Sequence, residues 1–273
     1  MSPPLWSSPS LVEWCEGVTH PHAASSVVAE AANTFSNLVF VVCGAYGLQR
    51  ALRARRSKSL LFTEAMLIVV GFGSMYFHSK RTYLGELMDE LPMSLMALGY
   101  HFSLDGLHWT TTGVMRKWTY ATAVAVTTCA WVSYLVFHNS GIFTTLFTVQ
   151  VLVPSQTSFH AARGDGKALD RSLWVASTAC ILGGKALWEV ERWLHRTESC
   201  PQSALSPLFW LHPAWHFLAA ASHAAWTVYV GELMDAQPQP HAQPAAKGGA
   251  RRVEKNGVEK RRGGGGGARK KAL

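Results

Sequence analysis

Seven hydrophobic runs of near-membrane length constrain this fold more than any other feature of the sequence. A helix rises about 1.5 Å per residue, so about 20 residues span the ~30 Å hydrocarbon core of a bilayer. Charged residues make up only 15% of the 273 residues, against about a quarter in an ordinary soluble domain. The runs predict an all-α bundle of seven transmembrane helices. The predicted helices are roughly Val27–Leu48, Leu60–Phe77, Glu90–Leu107, Trp118–Phe137, Gly141–His160, Leu173–Trp188 and Leu211–Leu233.

Basic residues are distributed unevenly between the loops that join these runs. One predicted side of the membrane holds Arg50, Arg53, Arg55, Arg56, Lys58, Arg116, Lys117, Arg163, Lys167 and Arg171. The opposite side holds Lys80, Arg81, Arg192 and Arg196. Because positively charged loops stay in the cytosol, the pattern predicts a luminal N-terminus and a cytosolic C-terminus.

Residues 236–273 differ in composition from the rest of the chain. They contain ten Lys or Arg and two Glu, so they carry the whole net charge of +8, and they are rich in Gly, Pro and Ala. Such a segment buries too little apolar surface to fold. We predict a membrane domain over residues 1–235 and a disordered basic tail over 236–273. Aromatic residues are not interleaved with the charge, so the expected partner of the tail is anionic lipid and not nucleic acid.

The five cysteines divide between helices and luminal loops. Cys43, Cys129 and Cys180 fall inside predicted helices and are expected to be free thiols. Cys15 and Cys200 both fall on the predicted luminal side, where oxidation is allowed. That compartment permits a Cys15–Cys200 disulfide, and the sequence leaves open whether it forms.

Polar and ionisable residues follow the second run closely, in GFGSMYFHSKRTYLGELMDELPM. Ser74 and His78 are four residues apart and therefore share one helix face. After a predicted loop around Gly85, Asp89 opens the third helix at the same membrane depth. Ionisable groups inside a membrane are costly, so these residues are functional candidates.

A second pair of residues four apart, His212 and His216, lies at the start of the seventh run in HPAWH. The alternating topology brings this pair to the same membrane face as His78. Two histidines on one helical turn and a third from another helix form the ligand set of a catalytic zinc. A histidine near a helix end is more often hydrogen-bonded than metal-bound, so both interpretations stay open at this point. No role is assigned to His20, His22, His138, His195 and His223.

Four blocks of sequence together resemble one known family. They are EWCE near the start, AEAANTFSN in the first run, GFGSMYFH followed by LMDELPM, and HPAWH. This combination is similar to the alkaline ceramidases, and more broadly to the seven-helix intramembrane hydrolases related to the adiponectin receptors. The resemblance implies a zinc ion held by His78, His212 and His216, with Ser74 and Asp89 beside it. It implies an enzyme of endoplasmic reticulum or Golgi membranes that cleaves the amide of ceramide into a sphingoid base and a fatty acid.

The chemistry of amide hydrolysis suits these residue types. An amide is a poor electrophile with a poor leaving group, so the site must supply a nucleophile, stabilise an oxyanion and protonate the amine. Zinc with three neutral ligands lowers the pKa of a bound water to about 7. Asp89 is expected to take the proton of this water and pass it to the amine, and Ser74 to donate to the oxyanion. Alternatively, Ser74 is a helix-packing residue; Glu90 is expected to be structural.

An acidic cluster near the N-terminus is a second candidate site. The resemblance implies a calcium ion bound by the side chains of Glu13, Glu16 and Glu30 and by the carbonyl of Trp14, since several oxygens in a short loop suit a hard cation. The family commonly has Asp in place of Glu13 and Asn in place of Val18. These two departures leave calcium regulation open.

An alternative interpretation of the acidic cluster needs no calcium. Its carboxylates would then form a solvated loop, with Glu30 paired to Asn33 or to a base such as Lys185. If calcium does bind, Thr19 or a backbone carbonyl has to replace the ligand that is missing at Val18.

Two other functional classes agree with the same residues. One is a related lipid hydrolase, for instance an enzyme that cleaves an ester in the lipid of a glycosylphosphatidylinositol anchor. The other is a receptor that binds sphingolipid without turnover. The presence of Ser74, Asp89 and three candidate ligands favours the enzyme.

Overall fold

The structure is a computed structural model that describes residues 7–19, 28–104, 113–164 and 171–236, and it is all-helical within these ranges. All of them belong to one compact unit, Met1–Gln237. The helices are α1 (Cys15–Thr19), α2 (Ala31–Ser36), α3 (Leu38–Arg53), α4 (Lys58–Lys80), α5 (Tyr83–Ser103), α6 (Gly113–Leu135), α7 (Ser140–Gly164), α8 (Arg171–Arg196) and α9 (Leu211–Ala236), with a 3₁₀ turn at Pro207–Trp210. Outside the described residues lie the predicted helix ends Val27 and Leu107, His20, His22, Lys167 and the predicted tail beyond Ala236.

Each of the seven hydrophobic runs coincides with a helix, and the first coincides with two, α2 and α3, which are separated at Asn37. By length and apolar composition, two segments of the described chain could cross a membrane, Ala31–Arg53 and Lys58–Lys80. The number of seven spans therefore stays a prediction.

The predicted start of the third helix at Glu90 is wrong. Helix α5 begins at Tyr83, and the Thr82 hydroxyl caps it by accepting a hydrogen bond from the Gly85 N–H at 3.2 Å. Gly85 lies inside the helix and not in a loop. A Cβ atom at this position would lie 2.8 Å from the Cα of Phe77 in α4, so the glycine permits close packing of the two helices. Asp89 consequently lies in the second turn of α5.

The predicted end of the sixth helix at Trp188 is also wrong. Helix α8 continues for about two more turns, to Arg196, so Arg192 and Arg196 are helical and not loop residues. Glu191 and Leu194 are buried in this extension, which explains why the helix persists through a charged stretch. Packing of their side chains outweighs the unfavourable local composition.

The N-terminal segment is tied to the end of the bundle where α4 ends and α9 begins. A disulfide joins Cys15 to Cys200, with the two Cα atoms 5.2 Å apart. The backbone N–H of Tyr83 donates to the carbonyl of Ser8 at 2.9 Å, and the N–H of Ser10 donates to the carbonyl of Arg81 at 3.2 Å. These bonds hold the acidic residues of the segment directly beside the helix ends that carry the histidines.

Candidate metal centre and catalytic site

Three imidazoles from two distant parts of the chain meet at one end of the bundle. His78 lies in the last turn of α4, and His212 and His216 lie in the first turns of α9. All three are buried, and one nitrogen from each lies within 4.8 Å of the others. The Nε2 atoms of His78 and His212 are 3.2 Å apart. The structure thus brings together the three residues that the spacing and topology singled out.

This arrangement fits a zinc ion. Two nitrogen ligands at zinc distances of about 2.0–2.1 Å in a tetrahedral site lie about 3.4 Å apart, close to the 3.2 Å between His78 and His212. If both Nε2 atoms are unprotonated, they cannot hydrogen-bond to each other, because neither has a proton to donate. A shared cation satisfies both lone pairs at once.

The other ring nitrogen of each histidine faces an oxygen atom of the protein. The Nδ1 of His78 lies 2.6 Å from Glu30 Oε2, and the Nδ1 of His216 lies 2.7 Å from the Ser36 hydroxyl. The Nδ1 of His212 lies 3.7 Å from Glu191 Oε2, which is an electrostatic contact.

Two of these partners, Glu30 and Ser36, select the tautomer that a metal ligand needs. The Glu30 carboxylate can only accept, so it takes the Nδ1–H of His78 and leaves Nε2 unprotonated. Ser36 donates its own proton to the carbonyl of Asn33 at 2.9 Å, so it accepts from His216. Carboxylates and hydroxyls behind the ligating histidines commonly orient metal sites in this way.

Sequence reasoning missed two of these partners, Ser36 and Glu191. Glu191 lies beyond the predicted end of its helix and therefore outside the apolar runs, where an ionisable group is a functional candidate. Because α8 extends to Arg196, Glu191 is a buried carboxylate within a helix and meets the same criterion. Ser36 carries no such signal, because serines are common in helices.

Ser74 and Asp89 form a pair beside the three histidines. The Ser74 hydroxyl, on the same face of α4 as His78, donates to Asp89 Oδ2 at 3.0 Å. Ser74 is buried, whereas Asp89 is half-buried. Both line a cavity that also exposes His212 and His216. A carboxylate, a hydroxyl and two candidate metal ligands therefore line the same cavity.

The same cavity extends far along the bundle. Its wall follows α9 from His212 to Trp226, a distance of roughly 21 Å at 1.5 Å per residue. Most of the wall is apolar, with Leu67, Phe147 and Trp226 among its members. The length and apolar lining of this space suit an aliphatic chain, with its polar end at the histidines.

The N-terminal acidic cluster has a different character from the one predicted. Glu16 and Glu30 are buried and not solvated. Glu16 accepts hydrogen bonds from the backbone N–H groups of Ala32 and Asn33 at 2.7 and 2.8 Å, at the start of α2. Burial raises the pKa of the Glu16 carboxyl, and these two N–H groups oppose the rise.

The pairing predicted for Glu30 is correct for Asn33, whose amide donates to Glu30 Oε2 at 3.2 Å. It is wrong for Lys185, because that ammonium pairs with Glu189 at 2.9 Å. The basic side chain that pairs with Glu30 is Arg81, whose Nε lies 3.3 Å from Glu30 Oε1.

The residues of this cluster do not fit a calcium ion. Calcium takes six to eight oxygen ligands, but most oxygens of this cluster already have partners, and the carboxylates of Glu13 and Glu30 both face the Arg81 guanidinium. The Trp14 carbonyl accepts from the N–H of Gly17 at 3.1 Å. The Thr19 hydroxyl, the predicted substitute at the Val18 position, donates to the carbonyls of Cys15 and Pro201 at 2.8 and 2.7 Å. Val18 supplies no side-chain oxygen.

Three buried imidazoles beside a serine–aspartate pair at the head of an apolar cavity define a candidate metal-dependent hydrolase with a lipid-like substrate. The family model Ceramidase matches residues 7–247, and the chain belongs to this family. The resemblance that the four sequence blocks carry is thereby confirmed.

Several curated alkaline ceramidases are similar over most of the chain. Alkaline ceramidase 1 of Mus musculus is 25% identical, covering 77% of this chain and 74% of the relative. Alkaline ceramidase YPC1 of Saccharomyces cerevisiae is 27% identical, covering 79% and 74%. The alkaline ceramidase of Arabidopsis thaliana is 27% identical, covering 80% and 82%.

Proposed function

We propose that this chain hydrolyses the amide bond of ceramide within the membrane, in a zinc-dependent reaction that releases a sphingoid base and a free fatty acid. Membership of the Ceramidase family makes it a ceramide-hydrolysing amidohydrolase of sphingolipid metabolism. The observation that carries the zinc proposal is the convergence of three buried imidazole nitrogens within 4.8 Å.

His78, His212 and His216 would hold the ion through their inward nitrogens. Bound zinc supplies Lewis-acid chemistry, acidifying water near neutral pH and polarising a carbonyl. Glu30 and Ser36 keep two of the rings oriented with their free nitrogens inward. The protein therefore contributes a rigid set of neutral ligands.

Asp89 is the proton-transfer residue in this proposal. Its carboxylate takes a proton from the attacking water and delivers it to the amide nitrogen as the C–N bond breaks. Without that proton the amine is a very poor leaving group. The hydrogen bond from Ser74 holds Asp89 in position, and the same hydroxyl can turn to donate to the carbonyl oxygen as negative charge develops there.

The apolar cavity would receive a hydrocarbon chain of the substrate, while the amide lies at the histidine end. Ceramide has two long chains and hardly enters water, so we propose that it enters between helices from the lipid. The proposal includes a multi-pass protein of seven spans, in the endoplasmic reticulum or Golgi, with the metal near the luminal side. The basic tail would contact anionic lipid on the cytosolic side.

A substrate comparison tests the function. Purified protein in detergent is incubated with ceramide and, separately, with ester lipids, and the products are followed by mass spectrometry. The proposal predicts equimolar sphingoid base and fatty acid from ceramide. Turnover of ester lipids alone would indicate a related lipid hydrolase. Binding of ceramide without turnover by folded, zinc-loaded protein would indicate a receptor, and either result would contradict the proposal.

A further inference from the structure

Arg81 occupies an unusual position between the acidic cluster and the helix that carries His78. It ends α4 in the left-handed backbone conformation, with φ at 52°. Its side chain turns towards the N-terminal segment and is only 21% exposed. An arginine buried to this degree needs anionic partners.

Two carboxylates of the cluster provide these partners. The Arg81 Nη2 donates to Glu13 Oε1 at 3.0 Å, and its Nε forms an ion pair with Glu30 Oε1 at 3.3 Å. Glu13 and Glu30 come from different segments, so the guanidinium joins the N-terminal segment to the start of α2. A bound divalent cation would make the same cross-link.

The guanidinium also fills the space between these segments. A Cβ atom at Gly17 would lie 2.8 Å from Arg81 Cζ and 2.7 Å from Glu30 Oε1. The backbone at Gly17 therefore packs directly onto the ion pair. A second cation placed here would meet both a lack of room and a fixed positive charge.

We propose that the guanidinium of Arg81 is the permanent cation of the acidic cluster. This chain then needs no calcium at the place where the family resemblance implies a calcium ion. Glu30 then has two functions, since its Oε1 meets Arg81 and its Oε2 meets the Nδ1 of His78. Arg81 is a positioning residue that holds a candidate zinc ligand through Glu30. Removing the guanidinium frees Glu13 and Glu30 and creates a place for a metal ion.

Thermal unfolding with calcium or with a calcium chelator tests this inference. The melting temperature of the wild type is expected to be the same in both. Arg81→Gln is expected to melt several degrees lower in chelator and to recover in millimolar calcium, because a ligand that binds only the folded state stabilises it. Arg81→Lys keeps the charge and should stay indifferent to calcium.

Arg56 offers a matched control. It forms a two-point ion pair with Asp235 at 2.5 and 2.6 Å, and its side chain is 18% exposed. Arg56→Gln also removes an arginine–carboxylate pair, yet it should show no response to calcium. A calcium response in this variant would mean that calcium acts elsewhere on the protein, which would overturn the inference.

Three further outcomes would overturn the inference. They are stabilisation of the wild type by calcium, an Arg81→Gln variant with the wild-type melting temperature in chelator, and a destabilised Arg81→Gln variant that calcium fails to rescue. The wild-type measurement stays decisive even if Arg81→Gln does not fold. Ceramide turnover, measured in parallel, rests on the proposed function. The melting temperatures do not depend on the proposed function, so one proposal can be contradicted while the other stands.

Discussion

Two buried clusters that contain histidine lie in the same bundle and differ in the partners of their ring nitrogens. The first is the histidine triad, His78, His212 and His216. The second is the Glu64 cluster, in which His223 Nε2 lies 2.8 Å from Glu64 Oε2 and His223 Nδ1 lies 2.7 Å from the Tyr100 hydroxyl. Both histidine clusters are buried, so burial does not separate them.

The difference lies in where the ring nitrogens point. Both nitrogens of His223 have partners within the protein, so the ring is saturated. In the triad, Nδ1 faces the protein and one nitrogen of each ring faces the other rings. A candidate ligand is thus marked by a ring nitrogen that faces other imidazoles, and a structural histidine by two nitrogens bonded to other kinds of side chain.

Asp89→Asn should produce the largest effect on activity. Loss of the proton-transfer carboxylate is expected to lower ceramide turnover by about 10²–10⁴-fold, because asparagine cannot carry the proton. Zinc content should stay at the wild-type level, since Asp89 is not a ligand. Sphingoid-base release and metal analysis on the same preparation check both statements. An Asp89→Asn protein with wild-type turnover would contradict the proposed role.

The helix ends limited what the sequence could predict about this region. The triad and Asp89 were identified from i, i+4 spacing and alternating topology, which need only approximate helices. The sequence nevertheless predicts Asp89 at the start of this helix, whereas α5 begins six residues before Asp89, at Tyr83. The capping Thr82 and the close contact at Gly85 set the true start.

The residues that contact the candidate ligands from behind could not be predicted from the sequence, for a different reason. Ser36, Glu191 and Arg81 act through contacts between residues 21 to 180 positions apart. Spacing along one helix carries no information about such partners. The pairing of His223 with Glu64, 159 residues apart, escaped for the same reason, and His223 had been assigned no role.

Glu30→Gln should produce an intermediate effect on metal binding. A neutral amide at this position is a weaker acceptor for the Nδ1–H of His78 than a carboxylate. Loss of such a partner typically lowers metal affinity by about 10–100-fold. Competition with a zinc chelator measures the change. Glu189→Gln is the control, because that carboxylate is half-exposed and pairs with Lys185. Equal zinc affinity in the two variants would contradict a supporting role for Glu30.

Changes in the Glu64 cluster should leave zinc content unaltered and lower stability. His223→Leu leaves the buried Glu64 carboxylate without its partner and should cost about 3–5 kcal/mol. The double variant Glu64→Met with His223→Leu removes both groups and should recover most of this loss. Unfolding midpoints and metal analysis measure the two quantities. Loss of zinc in His223→Leu would erase the distinction between the clusters.

Metal analysis of purified wild type, His216→Ala and His223→Ala tests the central claim most directly. The two histidines lie seven residues apart on α9 and are both buried, so they differ mainly in the partners of their nitrogens. We predict about one zinc per chain in the wild type and in His223→Ala. In His216→Ala we predict that both the bound zinc and the release of sphingoid base are lost. An active wild type without zinc, or a His216→Ala variant that keeps both metal and activity, would contradict this account.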